Sequence, residues 1–167
     1  MSRWTDFRTM LQERRVGFRL HELMTGSHEF EPRCGPRGTL PFEFCIDWGP
    51  KNVLVWANPA RREFLTQPLE GWVTIGGLCD RAACTGTLKL RYFTKRTIRY
   101  AFTFSADGRD YEYVGEKVNI LPWNLPTSHT TCFSTVKEID SGMLISRSVT
   151  HFRLKTSFDF ITSMRLA

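Results

Sequence analysis

The chain has 167 residues, a formal net charge of +6 from 23 Lys and Arg against 17 Asp and Glu, and an aromatic complement of 13 Phe, five Trp and four Tyr. This is about one domain, long enough to bury a core without metal or disulfide staples. No run reaches the roughly 18 apolar residues of a membrane-spanning helix, and the charged start MSRWTDFRTMLQERR lacks the apolar centre of a signal peptide. Neither a membrane span nor secretion by that route is expected.

Along the chain, Trp4, Phe7, Leu11 and Phe18 recur with charged residues between them. This predicts a short helical segment over residues 1–23, with Gly17 as a break. Helical periodicity then stops. Strand candidates follow at 27–31, 42–48, 52–57, 71–75, 85–93, 97–105, 109–120, 131–139 and 143–154, separated by turn signals. No helices lie between them to build parallel crossovers. The expected fold is therefore all-β: a single antiparallel, lipocalin-like (calycin) β-barrel over residues 24–155, with a β-sandwich or jelly roll as the alternative. An amphipathic end piece with Phe158, Ile161 and Leu166 predicts a helical cap over residues 156–167.

One hairpin has a readable register. A two-residue primed turn at Asp107-Gly108 pairs Phe104 with Tyr111, Phe102 with Tyr113, Tyr100 with Gly115 and Ile98 with Lys117. The aromatic residues then share the core face, Gly115 leaves room for the Tyr100 ring, Lys117 points inward and Glu116 outward. A single bulge would exchange the last two. The hairpin around Ser141-Gly142 is ambiguous, so the side on which His151 lies stays open.

The basic run from Lys89 to Arg99 places Lys89 and Arg91 opposite Leu88 and Leu90 by strand alternation. A solvated outer face explains it. Basic residues among aromatics also suit single-stranded nucleic acid, but the charges are scattered along the chain and no nucleic-acid partner is expected. Five cysteines without a CxxC spacing suit reduced thiols and a cytoplasmic location, although Cys79 and Cys84 are spaced for a small local disulfide. His129 is the one ring near a cysteine in sequence, beside Cys132.

The segment Gly115 to Thr131, GEKVNILPWNLPTSHTT, sets Glu116, Lys117, Asn119, Trp123, Asn124 and His129 around Pro122 and Pro126. Prolines fix the chain direction, and such segments on a β scaffold carry binding groups. The ligand-binding candidates are Tyr100, Phe102, Tyr113, Lys117, Asn119, Trp123, Asn124 and His129. An inward Lys117 must pair with a carboxylate, bind a ligand oxygen or lose its charge. Were the barrel an enzyme, Glu116, His129 and His151 would be its acid–base groups. His28, Glu29, His129 and His151 have no HxH or HExxH spacing, so no metal is expected.

Several motifs resemble a module that accompanies cholesterol-oxidase-like (GMC-type) flavin oxidoreductases. They are Met24-Thr-Gly-Ser-His-Glu-Phe30, Phe42-Glu-Phe44 with Trp48-Gly49-Pro50, Leu69-Glu-Gly71, Gly76-Gly-Leu-Cys79, Gly86-Thr-Leu-Lys-Leu-Arg-Tyr-Phe93, Gly115-Glu-Lys-Val-Asn-Ile120, Pro122-Trp-Asn-Leu-Pro126, Ser128-His-Thr-Thr131 and Ser146-Arg-Ser-Val-Thr-His-Phe-Arg153. The resemblance spans residues 24–154. It implies a neighbourhood of lipid or steroid metabolism and a flavin oxidoreductase as partner. The chain itself has no GxGxxG turn and no βαβ alternation, so no cofactor is expected. Together these readings lead to a barrel that binds a sterol, isoprenoid or acyl lipid. The alternatives are a barrel enzyme for isomerisation, hydration or cyclisation, and a protein-interaction domain.

Overall fold

The computed structural model describes residues 17–118 and 131–152. Eight strands run β1 Leu20–Phe30, β2 Leu40–Trp48, β3 Thr66–Ile75, β4 Cys79–Arg91, β5 Thr97–Ala106, β6 Arg109–Lys117, β7 Thr131–Glu138 and β8 Leu144–Phe152. Each is antiparallel to the next, and β8 pairs with β1 to close the barrel. Two single-turn helices interrupt the connections: α1 Val53–Trp56 and α2 Tyr92–Lys95.

The closed barrel matches the expected fold, and the β5–β6 hairpin has the expected register from Phe104↔Tyr111 to Ile98↔Lys117. Its turn residues Asp107 and Gly108 both have positive φ, 49° and 75°. That conformation matches the twist of the flanking strands. Several boundaries differ. Residues 52–57, read as a strand, hold α1, because the Asn52 side chain accepts a hydrogen bond from the Val55 amide at 3.1 Å and caps the turn. Leu20–Leu23 belong to β1 and not to a helical segment. Residues 1–16 and the expected cap at 156–167 lie outside the described residues. All five cysteines are free, Cys79 and Cys84 among them.

The register also resolves the last hairpin. Ser146, Ser148 and Thr150 are buried on the inner face of β8, whereas Arg147 and His151 face outward. The inner walls of β7 and β8 are thus lined by small groups, with Cys132 and Ser134 on β7. Opposite them stand the large rings. Tyr113 stacks on Phe102 with centroids 4.3 Å apart and on Phe42 at 5.8 Å, while Phe44 meets Tyr100, Phe102 and Tyr113 within 5.9 Å. Large against small is how a barrel waist fills without clash.

Gly115 serves this packing differently from the expectation. A Cβ there would lie 2.5 Å from the Tyr113 hydroxyl and 2.9 Å from Cys132 Sγ. The space it leaves is therefore used by its own strand neighbour Tyr113, not by Tyr100 across the hairpin. At Gly71 a Cβ would lie 1.9 Å from the Cys45 carbonyl oxygen, so β2 and β3 approach too closely there for any side chain.

The two barrel ends are unlike. At one end the strands are joined through the connections 31–39, 76–78, 107–108 and 139–143. The other end carries the longer 49–65 connection and the α2 connection, is where β6 ends and β7 begins, and holds both chain termini of the barrel. His28 lies nearer the first end, packed edge-on against Phe30 and Phe42, with Nε2 donating to the Gly76 carbonyl at 2.9 Å. Its Nδ1 is buried without a partner. Burial holds its pKa below the ordinary 6.5. The folded ring therefore refuses a proton that the unfolded chain accepts, and stability falls as pH drops through 6.5. Melting temperature measured from pH 7.5 to 5 should decline over that window, and His28→Leu, though less stable overall, should flatten the slope.

Candidate functional site

Strand alternation sets Leu20, Glu22 and Met24 of β1 and Tyr113, Gly115 and Lys117 of β6 toward the interior. At the end with the longer connections this brings two charges together. Lys117 Nζ donates to Glu22 Oε1, with Lys117 4% and Glu22 6% exposed. The Tyr100 hydroxyl donates to the same carboxylate, at 3.0 Å from Oε1 and 3.2 Å from Oε2, and Trp48 Nε1 donates to Oε2 at 3.3 Å. The Lys117 ammonium also lies 5.1 Å from the Tyr100 ring centroid and 5.3 Å from that of Phe152, within cation–π range. One buried carboxylate thus accepts from an ammonium, a phenol and an indole. Burial, then the Glu22 charge, pushes the Tyr100 hydroxyl well above its ordinary value.

Such a cluster is an uneconomical way to fill a core. Removing two charges from water costs several kcal/mol per ion, and apolar replacements of similar volume are often as stable or more so. Its donors meet both Glu22 oxygens, so the group is held in one geometry.

Trp48 connects this cluster to an open cleft of about 1000 Å³ beneath the β2–β3 connection. Phe18, Pro50, Val55, Trp56 and Leu69 form its apolar lining together with Trp48. Phe18 meets Trp48 and Trp56 edge-on, at 5.8 and 5.9 Å. The Trp56 indole Nε1 is buried and has no hydrogen-bond partner, which is a costly state for a donor. The atom is enclosed, so a ligand acceptor would relieve it once the indole turns toward the cleft. A smaller cleft of about 400 Å³ lies on the outer wall, where Arg62 joins Lys89, Arg91 and Arg99. Glu116 bridges the last two at 3.4 and 3.6 Å.

Of the residues singled out from sequence, Lys117 faces inward as the hairpin register requires, and a carboxylate is its partner. Tyr100 belongs to the same cluster. Phe102 and Tyr113 are inward too, but their rings are stacked in the waist, and the Tyr113 hydroxyl lies 3.6 Å from Cys132 Sγ. Burial raises that thiol to about 11. Glu116 and His151 both lie on the outer wall, separated by β7. Glu116 engages the two arginines and His151 Nδ1 lies 3.1 Å from the Thr131 hydroxyl. They share that wall but are not brought together, because β7 lies between them and their partners on it, Phe133 and Thr131, are two residues apart. Asn119, Trp123, Asn124 and His129 lie outside the described residues. His28 Nε2 is engaged by the Gly76 carbonyl, and among the described residues no three metal-ligating groups converge.

Sequence reasoning missed Glu22, Trp48 and Trp56 as site residues. Glu22 was concealed by the helical reading of residues 1–23. Read with period two, Leu20, Glu22 and Met24 give a charge flanked by apolar residues on one strand face, and that signal was available. Nothing in sequence couples Glu22 to Lys117, 95 residues away.

Compared with known proteins, the chain matches no family model, and neither a curated protein nor a solved structure matches it. Nothing in these comparisons links it to the flavin oxidoreductases that its motifs resemble.

Removing one member of the buried pair leaves the other charge without its partner. Glu22→Gln or Lys117→Met alone should lower unfolding free energy by about 3–5 kcal/mol in urea denaturation. The double variant Glu22→Met with Lys117→Leu should recover part of that loss, because it still strands the Tyr100 hydroxyl and the Trp48 indole.

Proposed function

We propose that this protein binds a hydrophobic small molecule with one oxygenated end, of the sterol, isoprenoid or acyl-lipid class, in the cleft beneath the β2–β3 connection. The observation that carries this reading is the aromatic lining of Phe18, Trp48 and Trp56 around a buried indole N–H that has no acceptor. Pockets for such ligands are mostly apolar, with a few polar groups that fix orientation.

The ligand's apolar body lies against the Phe18, Trp48 and Val55 side chains, and burial of that surface supplies most of the affinity. Its oxygen accepts from Trp56 Nε1. Glu22 holds Trp48 from behind, so the Glu22–Lys117–Tyr100 cluster supports the cleft wall instead of touching the ligand. This revises the interior site expected from sequence, because the Phe102 and Tyr113 rings already fill the waist. A flavin oxidoreductase as partner suits the same ligand classes. Five free cysteines suit a reducing compartment, and a cytoplasmic location belongs to this proposal. No helix among the described residues is long and apolar enough to cross a membrane.

The test is native mass spectrometry of the whole chain offered cholesterol, farnesol and palmitate separately, with tryptophan fluorescence titration of whichever is retained. A one-to-one complex with at least one of them is expected. Trp56→Phe keeps the ring but removes the N–H, and should weaken binding about tenfold, the equivalent of one hydrogen bond. Retention of none of the three would overturn the reading. Unchanged affinity in Trp56→Phe would remove this cleft as the site.

A further inference from the structure

The face of β1 and β2 opposite the Glu22 cluster carries a second arrangement, which shares only Asp47 with the lining of the proposed lipid cleft. Alternation along β1 turns Glu22 inward and therefore His21 outward; on β2 it turns Cys45 and Asp47 outward. The antiparallel register sets His21 directly across from Asp47 and Leu23 across from Cys45. His21 is thus the diagonal neighbour of Cys45, a separation that an imidazole spans. His21 Nε2 lies 3.1 Å from Cys45 Sγ, and His21 Nδ1 lies 3.1 Å from Asp47 Oδ1. The other ring nitrogen is 3.8 Å from the sulfur, so Nε2 is the contact atom.

The chemistry of the partners assigns the protons. A carboxylate only accepts, so Nδ1 carries the hydrogen and donates it to Asp47. Nε2 is then left with a lone pair aimed at the Cys45 thiol. Nucleophile, base and orienting carboxylate follow one another at hydrogen-bond distance, which is the geometric mark of an activated nucleophile wherever it occurs on a fold. No base stands beside Cys45 in sequence; His21 reaches it only through strand pairing.

The surroundings limit what can react. Cys45 is 5% exposed, while the His21 and Asp47 side chains are 56% and 36% exposed. Leu23 and Trp72 flank the thiol from the neighbouring strands, and the Arg81 guanidinium lies over the Trp72 ring at 4.2 Å. Burial, then the Asp47 charge, raises the thiol to about 11. The resting group is therefore S–H, and its reaction requires a base to take the proton. So little exposure limits any partner of the sulfur to a small uncharged electrophile.

We propose that Cys45 is a peroxide-reactive thiol, with His21 as its base and Asp47 as the residue that positions the ring. The sulfur attacks one oxygen of a hydroperoxide and the O–O bond breaks. Sulfur is oxidised by two electrons to sulfenic acid, and the hydroperoxide is reduced to an alcohol, or to water when the oxidant is hydrogen peroxide. The thiol proton passes through His21 Nε2 to the departing oxygen. The product is the reversible first rung of thiol oxidation.

Hydrogen peroxide is the probe, with dimedone trapping of sulfenic acid and peptide mass spectrometry to follow each cysteine in the full-length chain. Cys34, half-buried and with no imidazole against it among the described residues, serves as the internal reference. Cys45 should be trapped faster than Cys34. His21→Gln should slow Cys45 by about 100-fold, the usual scale of a general base, and leave Cys34 unchanged. Asp47→Asn lets an amide donate to Nδ1, which turns an N–H toward the sulfur, and should slow Cys45 by at least about tenfold. Both side chains lie on the outer wall, and a thermal melt of each variant confirms the barrel. Trapping of Cys34 without Cys45, or an unchanged Cys45 rate in His21→Gln with an intact melt, would overturn the proposal.

Discussion

Closure of β8 onto β1 is the constraint from which the other features follow. With no free edge, every strand residue is committed to the inside or the outside of one barrel, and alternation does the sorting. Neighbours in sequence therefore enter opposite environments. Glu22 accepts three hydrogen-bond donors in the interior while His21, one residue earlier, meets a thiol and a carboxylate on the outer wall. A slip of one residue in β1 would exchange them and destroy both arrangements.

Two kinds of interaction hold the interior, and they act at different levels. At the waist, Phe42, Phe44, Phe102 and Tyr113 interlock against the small side chains of β7 and β8. Here apolar burial and ring geometry contribute the stability. At the end with the longer connections, the Glu22–Lys117 pair contributes little net stability, since its desolvation offsets its attraction. What it supplies is a unique arrangement: only one register brings the ammonium, the phenol and the Trp48 indole to the same carboxylate.

That arrangement links the core to the surface. Trp48 touches Glu22 with its N–H and lines the cleft with its ring. The cleft's other aromatic wall, Trp56, comes from α1, a turn that exists because Asn52 caps it. Binding at this site would therefore be sensed by a rigid buried network, and it would also touch the outer wall that holds Cys45, because Asp47 lines the cleft. The same two strands serve both faces.

The β class, the closed hairpin register from Asp107-Gly108 and the inward path of Lys117 were legible from the sequence, because they depend on period-two alternation and on a turn whose geometry its own residues dictate. The β8 orientation was not legible, since Ser146, Ser148 and Thr150 carry no hydrophobic signal even though they are buried against large rings. Nor was α1, where an apolar run of strand-like composition is turned into a helix by one capping side chain. The carboxylate that meets Lys117, the base that meets Cys45 and the indole that lines the cleft were decided only by tertiary structure. Local sequence sets which way a side chain points along its own strand, but what it meets there depends on pairing between strands distant in the chain.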